Sequence, residues 1–215
     1  MSYLRSEYLT ITNYPGLVIE PMLGKDWQPV LDLAIKLLEE NGFEYQLGSG
    51  TLLGIVREKD GFIHHDTDLD IDIIERYEDG GWDCQGNYIQ TLSERIENVV
   101  DSFLENGFKL VRTQFYIELP MQVAFIYKEN NLIVDLCFFY KHWGSDYCNV
   151  YEHGVFFRPD YSVNEVDSFK FKKGEYWIPK DYDTYLKGRY GDDWKTPKKY
   201  KKSGEKDASK YLIVL

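Results

Sequence analysis

The sequence predicts an α+β fold, a mixed β-sheet packed by helices with a C-terminal β-hairpin and short-helix extension. Helical and strand periodicities follow one another as αβαβαβββ, which is not the regular βαβ alternation of a doubly wound sheet. After residue 107 three strand-like runs succeed each other with no helix between them. Hydrophobic residues make up 43% and aromatics 16% of 215 residues, enough apolar material for one core, so one domain spanning 1–215 is expected.

Each element has its own signal. Residues 26–41 place Val30, Leu31, Ala34, Leu37 and Leu38 on one helical face, and Asn41-Gly42 ends that helix. Residues 43–48 read as a short strand entering a glycine-rich turn, and 51–58 as a short helix. Over 67–74, Leu69, Ile71 and Ile73 alternate with Asp68, Asp70 and Asp72, the period of a strand. A second amphipathic helix covers 89–106 and is again stopped by Asn-Gly. Strands are expected at 108–115, 119–127 and 131–139, the last two joined through Glu129-Asn130-Asn131. Hairpins follow in 150–178 and a last helix near 181–189. The catalytic core is placed at about 26–140, the extension at 141–197 and a basic tail at 198–215.

Charge excludes several classes of function. The net charge of −11 argues against a duplex nucleic-acid partner, which needs a basic footprint. No run approaches the roughly 18 to 20 apolar residues of a membrane span, and no secretory leader opens the chain, so a cytoplasmic protein is expected. Cys84, Cys137 and Cys148 are odd in number and lack CxxC spacing, which fits reduced core thiols rather than a disulfide framework or a zinc site.

Acid concentrates in HHDTDLDID, residues 64–72. Strand geometry sends Asp66, Asp68, Asp70 and Asp72 to one face, with neighbours about 7 Å apart. Like charges in a row repel unless a cation offsets them, and Mg²⁺ or Mn²⁺ prefers carboxylate oxygens. The alternatives are a solvated acidic loop or a calcium loop. The second fails, because Ile71 and Tyr77 stand where that loop needs Gly and Glu.

About twenty residues earlier lies LGSGTLLG, residues 47–54, whose glycines let backbone N–H groups, Ser49 and Thr51 approach a phosphate. Arg57 could hold phosphate charge from the same side, or form an ordinary ion pair. Asp135 sits among apolar neighbours in IVDLCFFY, where a bare carboxylate is costly. Either a third metal carboxylate or a buried ion pair explains it.

GTLLGIVREKDGFIHHDTDLDID resembles the principal motif of the LicD/fukutin family, phosphocholine-type phosphotransferases of the nucleotidyltransferase superfamily. VDLCFFY at 134–140 and YLKGRYGDDWKTP at 185–197 extend the resemblance in the family's order. It implies a nucleotidyltransferase-like sheet and metal-dependent transfer of a substituted phosphate, such as phosphocholine, from a CDP-linked small alcohol to a saccharide or lipid-linked glycan hydroxyl, releasing CMP. Carried over by residue, Asp68 and Asp70 are the metal pair, Asp135 the third carboxylate, and Gly48, Ser49, Gly50 and Thr51 the phosphate turn. His65 stands where family members often carry Trp and is grouped with the donor-facing residues.

Asp66 is the first candidate to draw the acceptor's proton, before Asp72 or a neighbouring histidine such as His64. Two rival readings remain: nucleotide transfer by attack at the α-phosphorus, and a non-catalytic nucleotide or metal sensor. Tyr190, Gly191, Trp194 and Pro197 are expected to form a packed cap. Head-group choice would fall to aromatics such as Phe138, Phe139, Tyr140, Trp143, Tyr147 and Tyr151, if they are not core.

Overall fold

A computed structural model describes residues 9–16, 19–75, 87–116, 119–142, 145–151, 154–157 and 165–197. In chain order the elements are β1 (Leu9–Asn13), α1 (Gln28–Glu40), β2 (Tyr45–Leu47), α2 (Ser49–Arg57), β3 (Asp68–Glu75), α3 (Asn87–Glu105) and β4 (Phe108–Tyr116). There follow β5 (Leu119–Tyr127), β6 (Leu132–His142), β7 (Ser145–Tyr151), β8 (Gly154–Phe157), β9 (Val166–Phe171), β10 (Gly174–Pro179) and α4 (Tyr182–Tyr190).

The main sheet runs β1-β4-β5-β6-β3-β2, with β7 beside β6 and β8 beside β7. Its pairs are antiparallel except β3 with β6, so the sheet is mixed as expected. That parallel pair needs a long crossover, and α3, β4 and β5 supply it. β9 and β10 form a separate hairpin.

Alternation along the strands divides the sheet into two unlike faces. Leu69, Ile71, Ile73, Val134, Leu136, Phe138, Val123 and Phe125 are buried in the main core, together with the apolar faces of α1 and α3. The five α1 residues expected to face inward are all buried. Burying a Leu or Phe side chain stabilises by about 1.5–3 kcal/mol, so this layer supplies most of the folding drive. α1 ends where the reading put it: Gly42 takes φ 71°, and the Asn41 side chain donates to the Leu37 carbonyl at 2.8 Å. The opposite face carries Asp68, Asp70, Asp72 and Asp135.

Three differences from the sequence reading have local causes. β1 was not expected; LTITN is short, half polar and exposed from Thr10 to Asn13, and only its pairing with β4 makes it a strand. α2 begins at Ser49 rather than 51, so three residues of the glycine-rich turn belong to its first turn. The first C-terminal hairpin starts at Ser145, ahead of the expected 150.

Phe138 and Phe139 are core residues, Phe138 meeting Phe43 edge to face at 6.2 Å, and so do not line a head-group pocket. The side chains of Tyr140, Trp143, Tyr147 and Tyr151, together with Cys84, Cys148 and the tail 198–215, lie outside the described residues. Among the described residues no helix is long and apolar enough to cross a membrane.

Candidate active site

The glycine-rich turn carries the chain from β2 straight into α2, against the carboxylate face. Gly48 is extended, at φ −117° and ψ 172°, and the left-handed conformation falls on Ser49 at φ 44°. The flanking glycines therefore serve close approach rather than an unusual φ. A methyl group on Gly48 would collide with the Asp72 carboxylate, and one on Gly50 with that of Asp66.

Three N–H groups of the turn have protein acceptors. Gly48 donates to the Asp70 carbonyl at 3.2 Å, Ser49 to the Tyr185 hydroxyl at 3.0 Å, and Gly50 to Asp70 Oδ2 at 2.8 Å. In return Thr51 Oγ1 accepts from the Asp70 N–H at 2.7 Å. The N–H groups of Gly48, Ser49 and Gly50, expected to approach a phosphate, are thus engaged within the protein. Those groups instead hold β3 and α4 in place, and what the turn leaves buried without a partner is Ser49 Oγ.

Asp68, Asp70 and Asp135 each offer a carboxylate oxygen within 4.8 Å of the others. Sheet register produces this: Asp70 pairs with Asp135, Asp135 with Ala124, and Ala124 with Arg112, one row across four strands. Small Ala124 leaves room for Arg112 Nη2 to reach both Asp135 oxygens, at 2.9 and 3.2 Å. Gln122 Nε2 adds a bond to Oδ2 at 2.8 Å. Asp135 thus makes the buried ion pair, and it also stands beside Asp68 and Asp70, the position a third metal carboxylate requires.

Burial and mutual repulsion hold protons on this row. Burial raises Asp66 to about 7, and the neighbouring Asp68 charge adds to the shift. Burial likewise pushes Asp135 up to about 7, against the pull of Arg112. Asp70 is raised well above its ordinary value by burial and then by Asp68 and Asp66, while Arg189 opposes the rise. Closely set carboxylates pulled from water are the condition that a hard divalent cation relieves. The residues fit such an ion: every donor is a carboxylate oxygen, and buried Asp66 Oδ2 beside them has no hydrogen-bond partner.

The remaining expected residues divide. Asp66 precedes β3 but its carboxylate reaches back to Gly50 and Asp68. Asp72 leaves the cluster: it is buried and accepts from Gln46 at 3.4 Å and from the Tyr185 hydroxyl at 2.9 Å. Arg57 does not join the turn either. It closes the far end of α2, about 12 Å along the axis from Ser49, and binds Glu58 at 2.7 Å and the Trp194 carbonyl at 2.8 Å. His64 and His65 are exposed.

Arg112, Gln122, Tyr185 and Arg189 escaped the sequence reading. For Arg112 and Gln122 the available signal was a polar residue in a strand that also carries apolar ones; their partner, though, depends on register. Tyr185 and Arg189 lie in the expected helix near 181–189, and nothing in that segment signals that Tyr185 meets a turn 136 residues earlier. Of the expected cap, Trp194 is buried, meets Tyr182 edge to face and donates to Asp183 at 3.2 Å, Tyr190 and Gly191 are half-buried, and Pro197 is exposed rather than packed.

A family model described as LicD/FKTN/FKRP, nucleotidyltransferase domain, matches residues 42–181. No curated protein matches the chain. The matched span runs from the strand before the glycine turn through both carboxylate strands to the foot of α4, and with it this chain belongs to the LicD/FKTN/FKRP family.

Proposed function

We propose that this chain transfers a substituted phosphate, phosphocholine or a similar group, from a CDP-linked small alcohol to a glycan hydroxyl, with CMP leaving. Family membership supports the coarse class, a transferase of phosphorylated groups onto glycans. The single observation that carries the site is the convergence of Asp68, Asp70 and Asp135 oxygens within 4.8 Å, beside the helix that starts at Ser49.

In this reading the acceptor oxygen bonds to the β-phosphorus as the bond from that phosphorus to CMP's bridging oxygen breaks. Asp68, Asp70 and Asp135 would hold Mg²⁺ or Mn²⁺, which when bound supplies charge neutralisation at a phosphoryl centre. Arg112 and Gln122 fix the Asp135 carboxylate, so its orientation is set before any ligand arrives. Buried Ser49 Oγ can donate to a donor phosphate oxygen. Asp66, with an oxygen unpartnered in the protein, accepts the proton of the acceptor hydroxyl. His65, exposed beside Asp66, would meet the donor's head group.

Screening CMP release from CDP-choline, CDP-ethanolamine, CDP-glycerol and CDP-ribitol with a glycan acceptor tests the proposal. Release from at least one, dependent on Mg²⁺ or Mn²⁺, is expected; release from none removes the substrate class. The matched domain's description as a nucleotidyltransferase favours one second reading, attack at the α-phosphorus. Label placed in the donor's nucleotide would then finish on the acceptor instead of in free CMP.

A further inference from the structure

Arg112 stands at the β4 end of the row that crosses four strands through Ala124, Asp135 and Asp70. Ser49 and the start of α2 adjoin the other end, where the Gly50 N–H meets Asp70. The carboxylates therefore lie between a helix start and a guanidinium. Among the described residues, Arg112 hydrogen-bonds only through Nη2, which donates to both Asp135 oxygens at 2.9 and 3.2 Å. Its Nε is buried and has no partner. The strongest guanidinium–carboxylate pairs run two parallel bonds from two nitrogens, and this pair commits one. Leaving a buried donor unmade costs stability, so service to Asp135 alone does not account for the arrangement. The side chain also remains 25% exposed, open to a ligand.

We propose that Arg112 binds a phosphate oxygen of a substrate with the N–H groups that Asp135 leaves open. The inference rests on the phosphotransfer reading above and names a residue for it. A guanidinium fork matches phosphate oxygens in its plane and stays charged at any working pH. With Nη2 kept on Asp135, one group joins a cation-binding carboxylate to the anion that the cation attracts. Two sources supply that chemistry: the diphosphate of the donor, or a phosphate borne by the acceptor glycan.

Calorimetry on the full chain should compare wild type, R112Q, R112K and Q122A, each at Mn²⁺ saturating by its own titration. The probes are CDP, then inorganic phosphate with CDP already saturating. Q122A loosens Asp135 without removing charge, because Gln122 donates to the same Oδ2 at 2.8 Å. If the donor brings the phosphate, R112Q weakens CDP by about tenfold or more, the scale of a charge-assisted hydrogen bond, while Q122A keeps near wild-type affinity. If the acceptor brings it, wild type binds inorganic phosphate beside CDP and R112Q loses that binding. R112K keeps the charge but not the fork, and should fall between wild type and R112Q. R112Q that matches wild type for both probes overturns the inference. Q122A that weakens the same probe as much as R112Q also overturns it, since the effect then runs through the orientation of Asp135. Should R112Q fail to fold, R112K decides: wild-type affinity for both probes overturns the inference. Wild-type protein that binds no CDP at saturating Mn²⁺ overturns the phosphotransfer reading itself, and this assignment with it.

Discussion

Asp135 and Asp68 are both carboxylates of one cluster, yet their removal should have opposite structural effects. Asp135 accepts from Arg112 and Gln122, so Asp135→Asn leaves a guanidinium facing no anion. Its expected cost is about 1–3 kcal/mol, read as a lower urea midpoint, together with loss of turnover. Asp68→Ala removes one of several repelling charges and should abolish turnover with a melting temperature at or above wild type. A near wild-type rate in Asp68→Ala at saturating Mg²⁺ would sink the assignment. The raised carboxylates also set a pH dependence. Asp66 and Asp135 titrate near 7 in the fold but near 4 unfolded, so the stability they contribute is full below about pH 4 and is lost as pH rises through about 7. Metal-free protein in EDTA should therefore melt lower at pH 8 than at pH 5, and Asp66→Asn should flatten part of that slope. An equal slope in the variant would show that Asp66 is not among the causes.

At the scale of elements, the site depends on how α2 and α4 are pinned to β3. Tyr185 is the common pin, buried and bonded to Ser49 N–H and to Asp72. Tyr185→Phe keeps the ring but leaves a buried N–H without its acceptor, at a cost of about 1–3 kcal/mol. Because Ser49 sits at the start of α2, the same change should lower kcat more than a surface substitution of equal stability cost. Unchanged stability and rate would mean that α4 is only packed nearby. Gly48→Ala probes the other side of the pin, since the added methyl meets an Asp72 carboxylate held by Gln46 and Tyr185. Overpacking of that kind costs about 1–3 kcal/mol, and here it should appear as a lower melting temperature.

For the whole molecule, a site spread over neighbouring strands exists only in the folded state, so its ligand must stabilise the fold. A hundredfold excess of Mg²⁺ over Kd is worth about 2.7 kcal/mol, and the rise in melting temperature should be larger at pH 8 than at pH 5. A melting temperature unmoved by millimolar Mg²⁺ and Mn²⁺ would count against a metal site. The sequence by itself determined the helices, the strands with strict alternation, the row of aspartates and the family motif, because each is written in spacings of two to four residues along one segment. It also grouped Asp66, Asp68, Asp70 and the glycine turn, since a short chain separates them, and the fold does set these residues side by side. Only the tertiary structure decided that β1 is a strand, that Arg112 reaches Asp135 across Ala124, and that Tyr185 takes the N–H expected to face phosphate. It likewise moved Arg57 away from the turn and brought the Arg189 charge to the carboxylates. Those pairings depend on strand register and helix docking, which join residues far apart in sequence and leave no periodic trace in either partner.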